Sequence, residues 1–188
     1  MKPYDIVDEF EKTIAEYAGA KYGVAVDSCC NAIFLSCLWE GSQTYTLPCR
    51  TYPGVACAVI NAGCKVEFED FEWRKGYVFG NIVDSALNFS RGMYTCGFHC
   101  LSFHAKKHIP IGRGGMILTD NKNAYEWFKK MRWDGRPDLD VVGYNMYMTP
   151  EQAARGLMLF DLIKDKDLRD IDPKTQNYPD LSKVEAYK

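Results

Sequence analysis

The stretch GVAVDSCCNAIFLSCLW, from Gly23 to Trp39, changes its pattern partway along and indicates how the chain folds. Its first four residues form a short apolar run typical of a buried strand, and Asp27 and Ser28 follow as a polar turn. A helix is predicted from about Cys30 to the end of the stretch. A strand that leads directly into a helix leaves the first helical N–H groups without carbonyl partners, and such groups bind anions. The stretch therefore predicts one unit of an α/β fold with an anion site at its turn.

Strands and helices continue to alternate along the rest of the chain. Apolar spacing predicts helices at about residues 5–17, 30–39, 53–62, 120–131 and 150–163, and strands at 23–26, 45–48, 64–69, 81–83, 98–103 and 115–119. This order predicts an α/β fold whose mostly parallel sheet is sandwiched by helices, with ligands beyond the carboxyl ends of the strands. We place this domain at residues 1–165. Residues 166–188 are polar and interrupted by proline, so we expect a docking arm or a disordered tail.

Composition narrows the classes of function. The 188 residues suit one domain, and 23 basic against 25 acidic residues give a net charge of −2. This balance lacks the charge signature of nucleic-acid or membrane binding, so we expect neither partner. No apolar run has the length of a membrane span, and the first ten residues are too acidic for a signal peptide. We therefore expect a cytoplasmic protein with its eight cysteines reduced.

Motifs for metals and common cofactors are weak. Cys96, Cys100 and His104 are spaced by four, which would suit a metal site on a helix. Their segment alternates like a strand, however, where this spacing separates them too far, so we predict no metal site. The run Gly112–Gly115 lacks the spacing of a dinucleotide fingerprint and leads into a strand. A histidine-based catalytic triad has no supporting motif.

Three features converge on one kind of site. The anion site before the second helix, Asp84 at the end of a short apolar strand, and Lys107 after another strand would all lie at strand ends. A phosphate site, a carboxylate and a lysine are what pyridoxal 5'-phosphate (PLP) requires of a protein. Spacing alone leaves open that Asp84 caps a turn and that Lys107 is solvated.

Five blocks of the chain, in order, resemble the DegT/StrS group of sugar-nucleotide aminotransferases, which are fold-type-I PLP enzymes. The blocks are FEKTIAEYAGAKYGVAVDSCCNAIFLSCL, LPCRTYPGVACAVINAGCKVEFEDFE, IVDSA, SFHAKKHIPIGRGGMILTD and GYNMYMTPEQAARG. The third resembles the family's E-D-A-A motif, and the fourth its S-F-H-x-x-K block followed by G-G. The resemblance extends from about Tyr4 to Ile163.

The resemblance implies roles for individual residues. Lys107, the fifth residue after Ser102, would form the Schiff base with PLP, and Lys106 would be solvated. Asp84 would bind the pyridinium nitrogen, and Tyr52 would stack on the cofactor ring.

The resemblance also implies a phosphate site and a homodimer with shared active sites. Ser102, Ser28 and the backbone N–H groups near Cys29 and Cys30 would bind the cofactor phosphate. Asn145 would reach the phosphate bound by the neighbouring subunit.

The chain departs from the family pattern in several places. The family's S-G-T phosphate turn is Ser28-Cys29-Cys30 here, so a threonine hydroxyl is lost. Leu87 and Tyr147 replace a glutamine or histidine and an arginine. The interval between Phe71 and Asn81 is too short for the helix and strand that family members carry there. Against the family pattern we expect a minimal large domain of the aspartate-aminotransferase-like fold that lacks most of the small domain, with residues 166–188 in its place.

The resemblance implies an aminotransferase that moves an amino group from glutamate or glutamine to a keto-sugar, and we expect this sugar to be linked to a nucleotide. Lys107 would also move the α-proton as general acid and base. Two alternatives stay open: a catalytically inactive PLP-fold relative that acts as a binding or assembly partner, and a PLP-dependent sugar dehydratase. Relatives of the dehydratase kind replace the lysine with histidine, so Lys107 favours amino transfer.

Overall fold

A computed structural model describes residues 2–166, 168 and 177–187. Its helices are α1 (Asp5–Ala18), α2 (Cys29–Glu40), α3 (Pro53–Asn61), α4 (Lys122–Met131) and α5 (Pro150–Asp161). Its strands are β1 (Tyr22–Val26), β2 (Thr44–Pro48), β3 (Lys65–Glu69), β4 (Tyr77–Phe79), β5 (Ile82–Asp84), β6 (Phe98–Ser102) and β7 (Gly115–Thr119). Every helix and strand predicted from the sequence is present, and β4 is an addition. In the described residues, no helix has the length and apolar character needed to cross a bilayer.

Two groups of strands form the sheet layer. Five strands pair in the order β1-β7-β6-β5-β4, and β2 and β3 form a separate parallel pair. Within the five, β5 and β6 are parallel, whereas the pairs β1·β7, β6·β7 and β4·β5 are antiparallel. Strands β1, β5 and β6 therefore run in one direction, and β4 and β7 in the other. The carboxyl ends of β1, β5 and β6 meet at one edge.

The α/β class with a sheet core flanked by helices is confirmed, but the pairing is mixed rather than mostly parallel. A parallel neighbour needs a crossover connection, commonly a helix. No helix lies between β6 and β7, and β4 turns into β5 through Gly80, whose φ of 58° suits a tight turn. Both connections therefore reverse the chain.

Helices cover both faces of the five-stranded sheet. On one face, α2 and α4 pack over alternate strand residues such as Val24, Cys100 and Ile117, and α3 packs against α2 and β3. On the other, α1 packs against β1, α5 packs on α1, and Leu101 and Met116 belong to the buried cluster of this face. This alternation follows from the two-residue period of a strand, and it explains why the central strands are largely apolar on both faces.

A buried ion pair joins α1 to the end of α4. Glu11 accepts hydrogen bonds from the backbone N–H of Ala25, at 2.8 Å, and from Arg132, which also donates to the carbonyl of Ala25. Lys129 contacts the second oxygen of Glu11 at 2.8 Å. Both members of the Glu11–Arg132 pair are about 5% exposed or less. The network fixes α1 and the end of α4 to β1, directly before the predicted anion site.

Replacing Arg132 by methionine is expected to lower the free energy of unfolding by about 3 kcal/mol, because it leaves the buried Glu11 carboxylate with less compensation. Urea unfolding measures this loss. Lys12→Met is the matched control, since the Lys12–Glu16 pair is largely exposed and should contribute less than about 1 kcal/mol. A loss in the Arg132 variant no larger than in this control would contradict the assignment.

Candidate functional site

A cavity of about 270 Å³ opens where β1, β5 and β6 end. It lies at the edge at which the carboxyl ends of these strands meet. Seven of the eight residues predicted for the site line it: Ser28, Cys29, Cys30, Tyr52, Asp84, Ser102 and Lys107. Positions from five separate stretches of sequence are thus brought to one place.

The start of α2 forms one side of the cavity. Ser28 is the N-cap, and its hydroxyl oxygen accepts a hydrogen bond from the N–H of Asn31 at 3.2 Å. The first N–H groups of a helix have no carbonyl partner within it, so those of Cys29 and Cys30 can donate to an anion. Burial raises the pKa of both thiols, to about 11 for Cys30, so both are neutral at physiological pH.

A close backbone approach positions this turn against β7. A Cβ atom on Gly115 would lie 2.4 Å from the carbonyl carbon of Ser28 and 2.5 Å from the nitrogen of Cys29, so only glycine fits. Gly115 pairs in register with Ser102 at the end of β6. The G-G motif of the sequence therefore brings the Ser102 strand end beside the turn before α2.

Asp84 ends β5 and is only 4% exposed. Its Oδ1 accepts a hydrogen bond from the backbone N–H of Ala86 at 2.9 Å. Burial raises the pKa of Asp84, and this effect is opposed by the Ala86 N–H, by the charge of Lys107 and by hydrogen bonding from Tyr77. A buried carboxylate of this kind favours a cationic neighbour.

Lys107 lies in the loop after β6 and is half-buried. Burial lowers the pKa of Lys107, and the nearby Lys106 lowers it further, whereas Cys29 and Asp84 act in the opposite direction. A lowered pKa increases the neutral, nucleophilic fraction of an amine. Lys106 also reaches the cavity rim but is exposed, in agreement with the predicted difference between the two lysines.

Tyr52 precedes α3, and its side chain is 53% exposed on the cavity wall. Its edge approaches the ring of Tyr178, with the centroids 6.3 Å apart. Its position is compatible with the predicted stacking on a planar ligand.

Asn145 does not line the cavity. It is exposed, and its amide donates to Asp134 Oδ2 at 3.1 Å. The sequence assigns it to the site of a neighbouring subunit, and that role stays a prediction.

Several residues of the site were missed by sequence reasoning. Tyr77, on the added strand β4, lies in register with Asp84 and shares a 2.6 Å hydrogen bond with Thr51, and both side chains are buried. Trp73 and Arg113 line the cavity. No local motif marks these positions, because each reaches the site through a contact between distant parts of the chain.

The described part of the tail, residues 177–187, packs beside the cavity. Leu181 is buried and donates its N–H to the carbonyl of Cys49 at 2.8 Å, and Asp180 lies 3.7 Å from Arg50. Tyr178 lines the cavity and stacks on Trp73, with the planes 17° apart. Burial raises the pKa of Tyr178 to about 12. Of the two expectations for the tail, this part fits a docking arm, while residues 167 and 169–176 lie outside the described residues.

The cysteine and histidine side chains weighed as metal ligands are dispersed. Cys100 is buried within β6, whereas Cys96 and His104 are exposed on either side of it. Within the described ranges, no three His, Cys, Asp or Glu side chains are grouped so as to hold a metal ion.

The sequence matches the model of one protein family over most of its length. The family is described as the DegT/DnrJ/EryC1/StrS aminotransferase family, and the match covers residues 1–93 and 90–166.

Two curated relatives illustrate the similarity. The spore coat polysaccharide biosynthesis protein SpsC of Bacillus subtilis is 24% identical over 227 aligned residues, which cover 87% of this chain and 58% of SpsC. A UDP-4-amino-4,6-dideoxy-N-acetyl-beta-L-altrosamine transaminase of Campylobacter jejuni serotype O:2 is 24% identical over 211 residues, covering 80% of this chain and 55% of that enzyme. The chain thus spans just over half the length of these relatives.

Solved structures share the fold. DesI, determined in the presence of its TDP-sugar product, superposes with a TM-score of 0.70 at 20% identity. The superposed region covers 84% of this chain and 53% of the DesI chain. 3-Amino-5-hydroxybenzoic acid synthase superposes with a TM-score of 0.72 at 17% identity, over 84% of this chain and 56% of that synthase chain. NtdA of Bacillus subtilis, with the bound cofactor PMP, superposes with a TM-score of 0.71 at 18% identity, over 85% of this chain and 48% of the NtdA chain.

Replacing Asp84 by asparagine is expected to stabilise the cofactor-free protein at about pH 8. The pKa of Asp84 is raised on folding, so the ionised carboxylate opposes folding above its folded-state pKa. The gain should shrink as the pH falls through that value. It should vanish below the unfolded-state pKa, where the wild-type carboxyl is protonated in both the folded and the unfolded state.

Urea unfolding between about pH 3.5 and 8 measures this difference in the free energy of unfolding. Glu9→Gln, on the exposed face of α1, is the control and should leave stability unchanged. An asparagine variant less stable than wild type at about pH 8 would show that the ionised carboxylate contributes to folding.

Proposed function

Because this chain belongs to the DegT/DnrJ/EryC1/StrS aminotransferase family, we propose that it is a PLP-dependent aminotransferase for keto-sugars. The observation that carries the proposal is the joint placement of Lys107, Asp84 and the start of α2 around one cavity. The proposed donor is glutamate or glutamine, and the proposed acceptor is a sugar linked to a nucleotide. The names of DesI, with its TDP-sugar product, and of the Campylobacter transaminase support this class of acceptor.

The residues of the cavity fit PLP. The backbone N–H groups of Cys29 and Cys30 would form an anion site on the cavity wall, and Ser102 would add a hydroxyl to it. Asp84, which also lines the cavity, is a buried carboxylate whose raised pKa a cationic pyridine nitrogen would lower again. When bound, PLP supplies an electron sink for the substrate carbanion.

In the proposed reaction, Lys107 holds the cofactor through its Nζ and, once released, moves a proton at the substrate α-carbon. Its lowered pKa suits both tasks, because a neutral amine is nucleophilic and accepts a proton. Asp84 would keep the pyridine nitrogen protonated, and Tyr52 would stack on the ring. Asp84 and the Cys29 thiol are buried, so this wall of the cavity has little access to water.

Lys107→Ala is expected to lower amino transfer by at least about 10³-fold and to abolish the visible absorption band of the PLP complex. Borohydride reduction of the wild-type complex should fix the cofactor to Lys107, which peptide mapping identifies. The product of glutamate and a nucleotide-linked keto-sugar is measured by mass spectrometry.

Lys106→Ala is the matched control, one residue away on the same rim, and should keep the band and most of the activity. Label on Lys106 would overturn the assignment of the lysine. A labelled Lys107 without amino transfer to any keto-sugar would instead favour the inactive, binding role.

We further propose a homodimer in which Asn145 contacts the phosphate bound by the partner subunit. Its exposure, outside the cavity of its own chain, is compatible with this role. A hybrid dimer of one Lys107→Ala chain and one Asn145→Ala chain should contain one intact site. A hybrid made from differently tagged chains should bind one PLP with normal affinity, as measured by absorbance.

Placing both substitutions on one chain reverses the expectation. Paired with a wild-type chain, this double variant leaves the remaining lysine site without its Asn145, so affinity for PLP should fall. Normal affinity in this second hybrid and weak affinity in the first would show that Asn145 acts within its own subunit.

A further inference from the structure

Arg113 lies at the rim of the cavity, between the loop that carries Lys107 and the first residue of β7. It lines the cavity together with the first residues of α2. Its Nη2 donates to Asp27 Oδ2 at 2.9 Å, and its side chain is 69% exposed. None of the roles assigned above uses this guanidinium.

The backbone of Arg113 is held in place from two sides. Gln152 donates its amide N–H to the Arg113 carbonyl at 3.1 Å, and Gln152 is itself fixed by the capping box that opens α5 with Thr149. Two residues further on, Gly115 contacts the Ser28–Cys29 backbone. The base of the side chain is therefore positioned relative to the start of α2.

Asp27 connects the guanidinium to the same turn. It also accepts hydrogen bonds from the side-chain amide of Asn31, at 2.6 Å, and from the Ser28 hydroxyl, at 3.3 Å. The guanidinium belongs to one network with the helix N-cap. Asp27 engages one of its terminal nitrogens, and a guanidinium carries five N–H donors in a planar fork that suits phosphate.

The positive charge of Arg113 acts on the phosphate side of the cavity. Burial raises the pKa of Cys30 to about 11, and Arg113 is the group that opposes this rise. Cys30 stands where the family pattern has a threonine, so a neutral thiol, which is a weak donor, replaces a hydroxyl. The turn thus has fewer good donors for a doubly charged group, and a cation lies beside it.

We propose that Arg113 binds the 5'-phosphate of PLP and compensates for the donor lost at Cys30. The inference rests on the proposed function, because it concerns the same cofactor. A charge-assisted bond from a guanidinium to a phosphate is stronger than a neutral hydroxyl contact. Arg113 is thereby a cofactor-binding residue of this chain.

The test compares PLP with pyridoxal, which has the same ring and aldehyde but no phosphate. Dissociation constants are measured by absorbance titration for wild type, Arg113→Gln and Arg113→Lys. Arg113→Gln should weaken PLP binding about 10- to 100-fold and leave pyridoxal binding within about twofold. Arg113→Lys should restore part of the affinity for PLP, and Lys106→Gln, at the same rim, should change it less than about threefold.

A double variant separates direct binding from neutralisation of Asp27. If Arg113 only balances this carboxylate, Asp27→Asn combined with Arg113→Gln will recover wild-type affinity for PLP, which overturns the proposal. Continued weak binding in the double variant supports it. Thermal unfolding of each cofactor-free variant establishes that the fold is retained.

Other outcomes are equally decisive. Unchanged PLP affinity with a raised KM for the amino donor would place Arg113 at the substrate. That result would overturn this inference but leave the proposed function standing. Equal losses for PLP and pyridoxal would do the same, because the effect would not depend on the phosphate. Failure of the wild-type chain to bind PLP would overturn the proposed function itself, and it is seen before any residue is changed.

Discussion

The buried carboxylate of Asp84 is the constraint on which the site depends. A buried charge is unfavourable unless it is paired and hydrogen-bonded. Here the Ala86 N–H, Tyr77 and Lys107 all favour the ionised form, yet the pKa of Asp84 is still raised because burial outweighs them. The free protein thus carries an electrostatic cost at the end of β5. Binding a cation beside the carboxylate recovers that cost, so the same residue disfavours the empty site and favours the proposed cofactor.

Backbone geometry brings the remaining groups to this carboxylate. Asp84 pairs in register with Cys100 on β6, whose carbonyl accepts a hydrogen bond from the Cys29 thiol at 3.3 Å. Two residues further, Ser102 lies opposite Gly115, which touches the turn before α2. Strand register therefore sets the spacing between the carboxylate, the hydroxyl and the anion site. Of the predicted residues that line the cavity, Lys107 and Tyr52 approach from loops.

The sequence predicts the elements well because their patterns are local. Apolar runs define strands β1 and β7, and Gly19, at a φ of 90°, ends α1 as expected for a glycine after a helix. Most of the predicted site residues lie together because each ends or follows a strand, and strands with the same direction end at the same edge. Seven of the eight predicted residues line one cavity for this reason.

Strand direction and long-range neighbours were harder to predict. Strand β7 runs in the reverse direction because residues 103–114 contain no helix. The spacing of apolar residues predicts where helices and strands lie but not the direction of a strand. Tyr77 and Trp73 come from the interval where family members carry a longer segment, and Tyr178 comes from the tail. The contacts of Tyr77 with Thr51 and of Trp73 with Tyr178 join residues far apart in sequence. Such contacts leave no local pattern.

The two cysteines at the start of α2 bear on the proposed phosphate site, because one of them stands where the family pattern has a threonine. A thiolate there would repel a phosphate, but burial raises the pKa of both thiols and keeps them neutral. The exchange of a hydroxyl for a thiol is therefore compatible with an anion, although it removes a good donor. The backbone N–H groups do not depend on the side chain and are retained. What the turn lacks is charge-assisted donation, and the residue placed to supply it is the arginine joined to Asp27 at the start of the same helix.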